Sequence, residues 1–476
     1  MNTLETVNIY EAQIQTLIDQ AQMLEAIALG QNALARLGVN LPSEPEEHLT
    51  GKALQSLSKR ISGQQIEELI SLPVMSNPTT IAAMQLLAML SGPIFRASPT
   101  LLPLLCATMI NLSLEFGNTS ASTIGYVSYG MVLSAFLGEV EKGYRFGQLA
   151  LNLVNHLNAQ EFKPLTLFLF GTFLQHRQEG LRAIIPTMKK CHLAGMETGD
   201  FRHAGYSIAI YADANFYAGV CLNKWEAEIE NYCVVLETMK QNSPLTQLKL
   251  IQQTVQNWRK IVNQPDLLRG TFYDETVMLP KHHQDNDFTV LKSVYIHKIM
   301  LAYFFGNYSH ALDYIAQANL YLRSMIGTIY TEVFHFYAGL SYLAVYSTLS
   351  EIEQAKILAL VETHQTTLAQ WAQHNPMNHL HKWHLVEAER QRVLGNQASA
   401  RENYDYAIAI AKEKGYIPEV ALASELAAKF YLALGKEKIA VGYMQEAYCY
   451  YAQWGATAKT GNLEKGYSQL LRYFQK

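Results

Sequence analysis

The sequence predicts an all-α protein, a solenoid built from stacked helical hairpins. Apolar residues recur at helical spacing along the whole chain, and five sets of small residues repeat at intervals of four and three. Such intervals keep the members of a set on one helix face, which must be buried against a neighbouring helix. A helix pair of this kind stacks on further pairs because it cannot bury its apolar face alone. The sets are Ala26/Gly30/Ala33, Gly143/Gly147/Ala150, Ala311/Ile315/Ala318, Ala400/Tyr404/Ala407 and Ala440/Met444/Ala447.

Glycine lies five residues before four of these sets, where a turn would lead into a closely packed second helix. These glycines are Gly138, Gly306, Gly395 and Gly435. The pattern resembles that of tetratricopeptide-like repeats, most clearly where Gly306-Asn307-Tyr308 precedes Ala311-Leu312 and Ala318. The resemblance implies a right-handed superhelix of degenerate repeats whose function is binding.

Helical periodicity can be followed from one end of the chain to the other. The clearest helical runs are Ala21 to Leu37, Gly125 to Leu137, Glu141 to Leu157 and Glu419 to Leu434. Helix ends are predicted at Gly38, Gly117, Gly199, Gly415 and Gly455. Alternating β-branched stretches are scarce, so no strands are expected.

Two irregular stretches interrupt this pattern. Leu41 to Glu47 is rich in proline and acid, and Gln264 to Asp287 combines proline, glycine, two adjacent histidines and several acids. A long irregular loop inside a compact protein is typical of a functional segment or a linker. We therefore predict an amino-terminal helical lobe at 1–263, a linker at 264–288 and a carboxy-terminal lobe at 289–476.

Composition narrows the class of protein. Hydrophobic residues make up 49% and charged residues 16%, which argues against disorder. With a net charge of −4 and no long basic run, nucleic acid is not an expected partner. Met1 to Tyr10 lacks a signal-peptide pattern, and the apolar stretches Ile81 to Leu90 and Leu101 to Ile110 are shorter than a membrane span. A cytoplasmic protein that does not associate with membranes is expected.

Motifs for nucleotide chemistry are absent from the sequence. No two glycines are separated by a single residue, and no glycine pair is followed by the lysine of a phosphate-binding loop. None of the fifteen histidines precedes an acid, as a phospho-accepting histidine usually does. We therefore expect no catalytic residues, no cofactor and no enzyme activity.

Histidine clusters offer the main alternative, a metal-dependent enzyme. One cluster is formed by His374, His379, His381 and His384. Of these, only His381 and His384 would share a helix face, and two imidazoles there could bind a metal with a third ligand. His282 and His283 lie near Asp285 and Asp287, a second possible set. Ordinary hydrogen-bonded or solvated histidines account for both patterns, so no metal site is predicted.

Aromatic side chains at helical spacing could line a groove that binds a partner. Tyrosine offers both contact area and a hydrogen bond, which suits such a surface. Such stripes more often form the packed core between repeats, and that is the favoured interpretation. The candidate partner-binding residues are Tyr126, Tyr129, Tyr211, His335, Tyr337, His381 and Trp383.

Longer stretches resemble one family of proteins. Asn111 to Asn118, Tyr126 to Gly130 and above all Glu425 to Tyr448 are similar to the helical middle region of large hybrid signalling proteins of cyanobacteria. In that family a serine/threonine kinase domain and an AAA-type ATPase precede this region, and a GAF sensor and often a histidine kinase follow it. Those other domains are missing from this sequence.

The resemblance implies a scaffold in kinase or two-component signal transduction. We expect a non-catalytic protein that binds a protein or peptide partner, such as a kinase or ATPase of the same family. The alternative is a regulatory sensor that binds a peptide or small molecule within the superhelix.

Overall fold

In a computed structural model of the chain, residues 3–63 and 65–471 are described. Met1, Asn2, Gln64 and 472–476, which belong to the predicted lobes, lie outside the described residues. The all-α prediction is confirmed, since the described residues form helices joined by turns and short 3₁₀ segments, with two isolated β-bridges and no strand. The helices are α1 (Thr3–Asp19), α2 (Met23–Arg36), α3 (Glu47–Ile61), α4 (Pro78–Ala97), α5 (Leu102–Phe116), α6 (Ser122–Phe136), α7 (Val140–His156), α8 (Lys163–Phe173), α9 (Ile184–Thr198), α10 (Phe201–Tyr217), α11 (Leu222–Thr238), α12 (Asn242–Arg259), α13 (Glu275–Gln284), α14 (Phe288–Phe304), α15 (Tyr308–Asn319), α16 (Leu322–Met325), α17 (Ile329–Val345), α18 (Glu351–His374), α19 (Pro376–Val393), α20 (Gln397–Lys414), α21 (Ile417–Ala433), α22 (Glu437–Trp454) and α23 (Thr457–Leu471).

The chain divides into two compact units. Unit 1 comprises Met1–Gln178 and Lys190–Ala204, and unit 2 comprises Glu179–Lys189 and Gly205–Lys476. The boundary therefore passes through α9 and α10, well before the predicted linker at 264–288.

Small residues let the helices of unit 1 approach one another closely, as their spacing predicts. Gly143 on α7 faces Gly130 on α6, and a Cβ added to Gly143 would lie 2.5 Å from the carbonyl oxygen of Gly130. Gly30 on α2 faces Leu90 on α4 in the same way, with a Cβ-to-Cδ1 separation of 2.5 Å. A larger side chain at Gly143 would push α6 and α7 apart, and one at Gly30 would force the Leu90 side chain to move.

Two helices of unit 1 are longer than the apolar stretches seen in the sequence. Pro78–Ala97 has 20 residues and Pro99–Phe116 has 18, and both are long and apolar enough to cross a membrane. Core helices of soluble proteins have the same properties, and 56% and 44% of the two apolar windows are buried in the protein. Two such helices are weak support for a membrane protein.

Unit 2 is a series of helix pairs that closes on itself. α12 packs against α14, α14 against α17, α17 against α19 and α19 against α21. Each of α14, α17, α19 and α21 also packs against the next helix in the chain, which is α15, α18, α20 and α22 respectively. α23 returns to α12, where the Thr457 hydroxyl donates to the Arg259 carbonyl. The rings of Trp258 and Trp454 lie 4.8 Å apart at this closure.

The predicted helix ends coincide with glycines in the left-handed conformation. Gly415 has φ of +77°, and its N–H bonds back to the last turn of α20. Gly117 has φ of +96°, and a Cβ there would lie 2.1 Å from the Pro73 carbonyl oxygen. Only glycine fits this position without movement of the backbone.

The segment predicted as a linker lies inside unit 2 and contains α13. Asp274 caps this helix by accepting a hydrogen bond from the Thr276 N–H at 2.9 Å. Asn257 of α12 donates to the carbonyls of Pro265 and Leu267 at 2.9 and 2.8 Å. These bonds tie the segment to the helices around it, a feature that its proline, glycine and acid content does not reveal.

Candidate functional site

Two of the tyrosines predicted to bind a partner lie in the core of unit 1. Tyr126 is 0% exposed and its hydroxyl donates to Asn118 at 2.9 Å, while Tyr129 is 2% exposed. Both rings pack on Phe146. These side chains stabilise α6 against α7 and present no surface to a partner.

Tyr211 and Tyr337 are likewise buried, in unit 2. The Tyr211 hydroxyl donates to Glu228 at 2.6 Å, and burial together with this carboxylate raises the pKa of Tyr211 to about 12. Its ring also lies 4.9 Å from the Lys189 ammonium. Tyr337 packs against Phe304 between α14 and α17.

The remaining three candidates lie among α17, α18 and α19. His381 is 1% exposed and stacks on Tyr416 at 4.7 Å. His335 and Trp383 are half-buried, and the Nδ1 atoms of His335 and His364 are 2.9 Å apart. The predicted aromatic surface is thus mostly interior, because the helices that carry it are packed on several faces.

The histidines considered as metal ligands have other partners. His379 Nε2 lies 3.6 Å from Glu332, and His384 Nδ1 lies 2.7 Å from the Asn403 side-chain oxygen. In the part of the chain that the structure describes, no three His, Cys, Asp or Glu side chains are grouped so as to hold a metal ion. His282 stacks on Tyr273, and its Nδ1 lies 3.7 Å from the Asp287 carboxylate.

An open groove in unit 2 is a better candidate for a functional site. α14 forms its floor, and α13 and α15 form its two walls. The groove encloses about 440 Å³, a volume within the range of sites that hold a ligand. Its lining residues are Glu275, Leu279, Tyr295, Lys298, Asp313, Tyr314, Ala316 and Gln317.

A buried ion pair lies at the floor of the groove. Lys298 donates to both carboxylate oxygens of Glu275, at 2.7 and 2.6 Å, and its ammonium lies 4.4 Å from the centre of the Tyr314 ring. The N–H of Leu268 donates to Glu275 at 2.7 Å. Burial lowers the pKa of Lys298, although the Glu275 carboxylate opposes that shift. The pair joins α13 to α14 and leaves the floor electrically neutral.

A second buried carboxylate fixes the wall formed by α15. Asp266 is 0% exposed and lies near Asn307, His310 and Tyr314, at 2.7, 2.7 and 3.1 Å respectively. Burial acts to raise the pKa of Asp266, but these hydrogen bonds outweigh it and the pKa is lowered. Asp266 thus holds the 264–274 segment against α15.

A cluster of aromatic rings adjoins the groove at Tyr295. The rings of Tyr295 and Tyr321 stack at 6.0 Å, and the Phe288 ring lies 5.8 Å from Tyr321. His283 lies 3.3 Å from the hydroxyls of both tyrosines. Phe288 is 50% exposed, so this end of the groove offers apolar area to a partner.

No family model matches the chain. It is 23% identical over 207 residues to the hybrid signal transduction histidine kinase G of Dictyostelium discoideum. The matched part covers 40% of this chain and 6% of the kinase, so the chain corresponds to a small fraction of that protein. This distant, partial similarity links the chain to a signalling protein.

Sequence analysis identified the segment that contains α13 but not the groove. The residues that form it, such as Glu275, Lys298 and Tyr314, come from three helices and are ordinary helical residues when taken alone. One signal was available, since Asp313, Ala316 and Gln317 share a helix face with the apolar residue Leu320.

Proposed function

We propose that this chain is a non-catalytic scaffold of tetratricopeptide-like helical repeats that binds a protein or peptide partner in kinase or two-component signalling. The proposal places the chain in the cytoplasm and places the partner in the groove between α13 and α15. The groove is the observation that carries it, because its walls are already fixed by the Glu275–Lys298 and Asp266 networks. A preformed site loses less entropy on binding.

The signalling context is supported by the similarity to the Dictyostelium hybrid kinase and by the resemblance to cyanobacterial hybrid proteins. The successive helix pairs of unit 2 are consistent with a degenerate repeat array. A kinase, ATPase or response regulator is therefore the kind of partner that we propose.

An interior ligand site is the less favoured alternative. An enclosed cavity in unit 2, among Glu332, Lys382 and Glu419, has a volume of about 10 Å³. That is room for about one water molecule. A peptide or metabolite fits the open groove far better than this interior space.

Site-specific photo-crosslinking in cells tests the proposal. A benzophenone amino acid replaces Gln317, which lines the groove, and in a matched control it replaces Gln370, an exposed glutamine on α18. A discrete adduct from position 317 alone, identified by mass spectrometry as a signalling protein, is the expected result. Equal adducts from both positions, or none from position 317, would contradict a partner site in the groove.

A further inference from the structure

The arrangement of α13, α14 and α15 suits the docking of one additional helix. α13 and α15 form two separate walls, and α14 forms the floor between them. Many proteins bind an amphipathic helix in a groove of this kind. On α15 the groove-facing residues Asp313, Ala316 and Gln317 continue to Leu320 at positions i, i+3, i+4 and i+7. This stripe spans about two helical turns, enough to contact a docked helix over that distance.

Apolar contacts are available along this path. Leu279 on α13 and Tyr295 on α14 line the groove, and Phe288 lies at its aromatic end. Leu320 is 70% exposed and Phe288 is 50% exposed. Both residues are neighbours of Tyr321, Leu320 in the chain and Phe288 through its ring, and Tyr321 stacks on the groove residue Tyr295. Exposed apolar side chains of this size beside a groove are typical of a site that is covered by a partner.

The residues that line the groove carry a net negative charge. The Lys298 ammonium donates hydrogen bonds to the Glu275 carboxylate, which neutralises the positive charge at the floor. Asp313 is exposed on the α15 wall, and no lysine or arginine of the described chain forms an ion pair with it. Among the lining residues, Glu275 and Asp313 are acidic and Lys298 is basic, which leaves one net negative charge. A cationic partner complements this field.

We infer that the groove receives an amphipathic helix with lysine or arginine residues beside its apolar face. This inference rests on the proposed function and names the chemistry of the partner. Apolar side chains of the helix pack on Leu279, Tyr295 and Phe288, and a basic side chain lies against Asp313.

Binding of a defined probe by the full chain tests the inference. The probe is a fluorescein-labelled helical peptide of about 18 leucine and lysine residues in amphipathic order, and its counterpart has glutamate in place of every lysine. Anisotropy is measured at about 0.15 M salt, so that weak surface attraction is screened. Wild-type protein is expected to bind the lysine peptide and not the glutamate peptide.

Three variants locate the binding. Ala316→Trp fills the groove from an exposed position and is expected to weaken binding at least tenfold. Asp313→Lys reverses the wall charge and is expected to weaken it about fivefold, the effect of a rim charge. Glu413→Lys makes the same change in charge at an exposed site on α20 and is expected to leave binding unchanged.

Equal loss in Asp313→Lys and Glu413→Lys, or preference for the glutamate peptide, would overturn the basic-helix inference. If Ala316→Trp abolishes the Gln317 crosslink in cells while Asp313→Lys preserves it, the groove is a partner site and only the inferred chemistry is wrong. If Ala316→Trp changes neither peptide binding nor crosslinking, both the inference and the proposed function fail.

Discussion

Lys298 and Glu275 form an ion pair that is almost entirely enclosed by protein, with side chains 3% and 9% exposed. Twenty-three positions separate the two residues, and the pair joins α13 to α14 beneath the groove. Desolvation makes each charge costly unless the other is present.

Removal of one charge of this pair should therefore lower the stability of unit 2 more than removal of both charges. Lys298→Met is expected to lower the free energy of unfolding of unit 2 by about 3 kcal/mol or more, because Glu275 is then buried without its cation. The double variant Glu275→Gln/Lys298→Met should recover much of that loss. Urea denaturation followed by tryptophan fluorescence measures these differences as a double-mutant cycle.

Lys249→Met provides a matched control for this prediction. Its partner is Glu237, and the two side chains are 38% and 52% exposed. Loss of such a surface pair should cost less than about 1 kcal/mol. A loss in Lys298→Met that is no larger than this would mean that the buried pair does not hold the groove together.

Gly143 should not tolerate even one added methyl group. Gly143→Ala places a Cβ 2.5 Å from the Gly130 carbonyl oxygen and is expected to destabilise unit 1 by about 1–3 kcal/mol through overpacking. Gly442→Ala on α22 has no atom within 4 Å and should instead stabilise its helix by about 0.5–1 kcal/mol. Thermal denaturation of both variants measures whether their stability changes have opposite signs.

Buried Asp213 makes the stability of the folded protein depend on pH. Burial raises the pKa of this carboxyl to about 7 from an ordinary value of 3.8, while hydrogen bonding from Tyr330 and the charge of Lys292 oppose the rise. Between pH 3.8 and 7 the folded protein holds the proton and the unfolded chain does not, so protonated Asp213 contributes to the stability of the fold. This contribution is complete below pH 3.8 and is lost as the pH rises through 7.

Comparison with Asp213→Asn isolates this contribution from other titrating groups. The stability of wild type relative to the variant should fall by on the order of 3–4 kcal/mol between pH 4 and pH 7. A flat difference for Asp213→Asn would show that the carboxyl ionises normally in the fold.

Asp266 should control the protease sensitivity of the segment before α13. Trypsin is expected to leave the wild-type chain intact at Arg269, because Asp266 and Asn257 hold the surrounding backbone. Asp266→Ala removes the acceptor for Asn307 and Tyr314 and should make Arg269 an early cleavage site. Rapid cleavage of the wild type there, detected by mass spectrometry, would instead favour the linker between lobes that the sequence suggests.

The sequence alone could not show whether the predicted partner-binding residues are buried. Tyr126, Tyr337 and His381 lie at helical spacings that fit either a groove or a core, and periodicity does not separate the two. Most residues of α14 and α21 are buried, so the sequences of these helices show little difference between sides. Burial on the further faces comes from helices that are distant in the chain.

The sequence by itself determined what depends on neighbours along the chain: the helices, the faces of small residues such as Gly143 and Ala150, and the ends at Gly117 and Gly415. Helical periodicity, capping and left-handed glycine are local effects, so a single sequence contains them. Only the tertiary structure decided that 264–288 packs within unit 2 and that Glu275, Lys298 and Tyr314 share one groove. Those arrangements depend on packing and charge pairing between separate helices, and the energies of such contacts are not encoded in any one stretch of sequence.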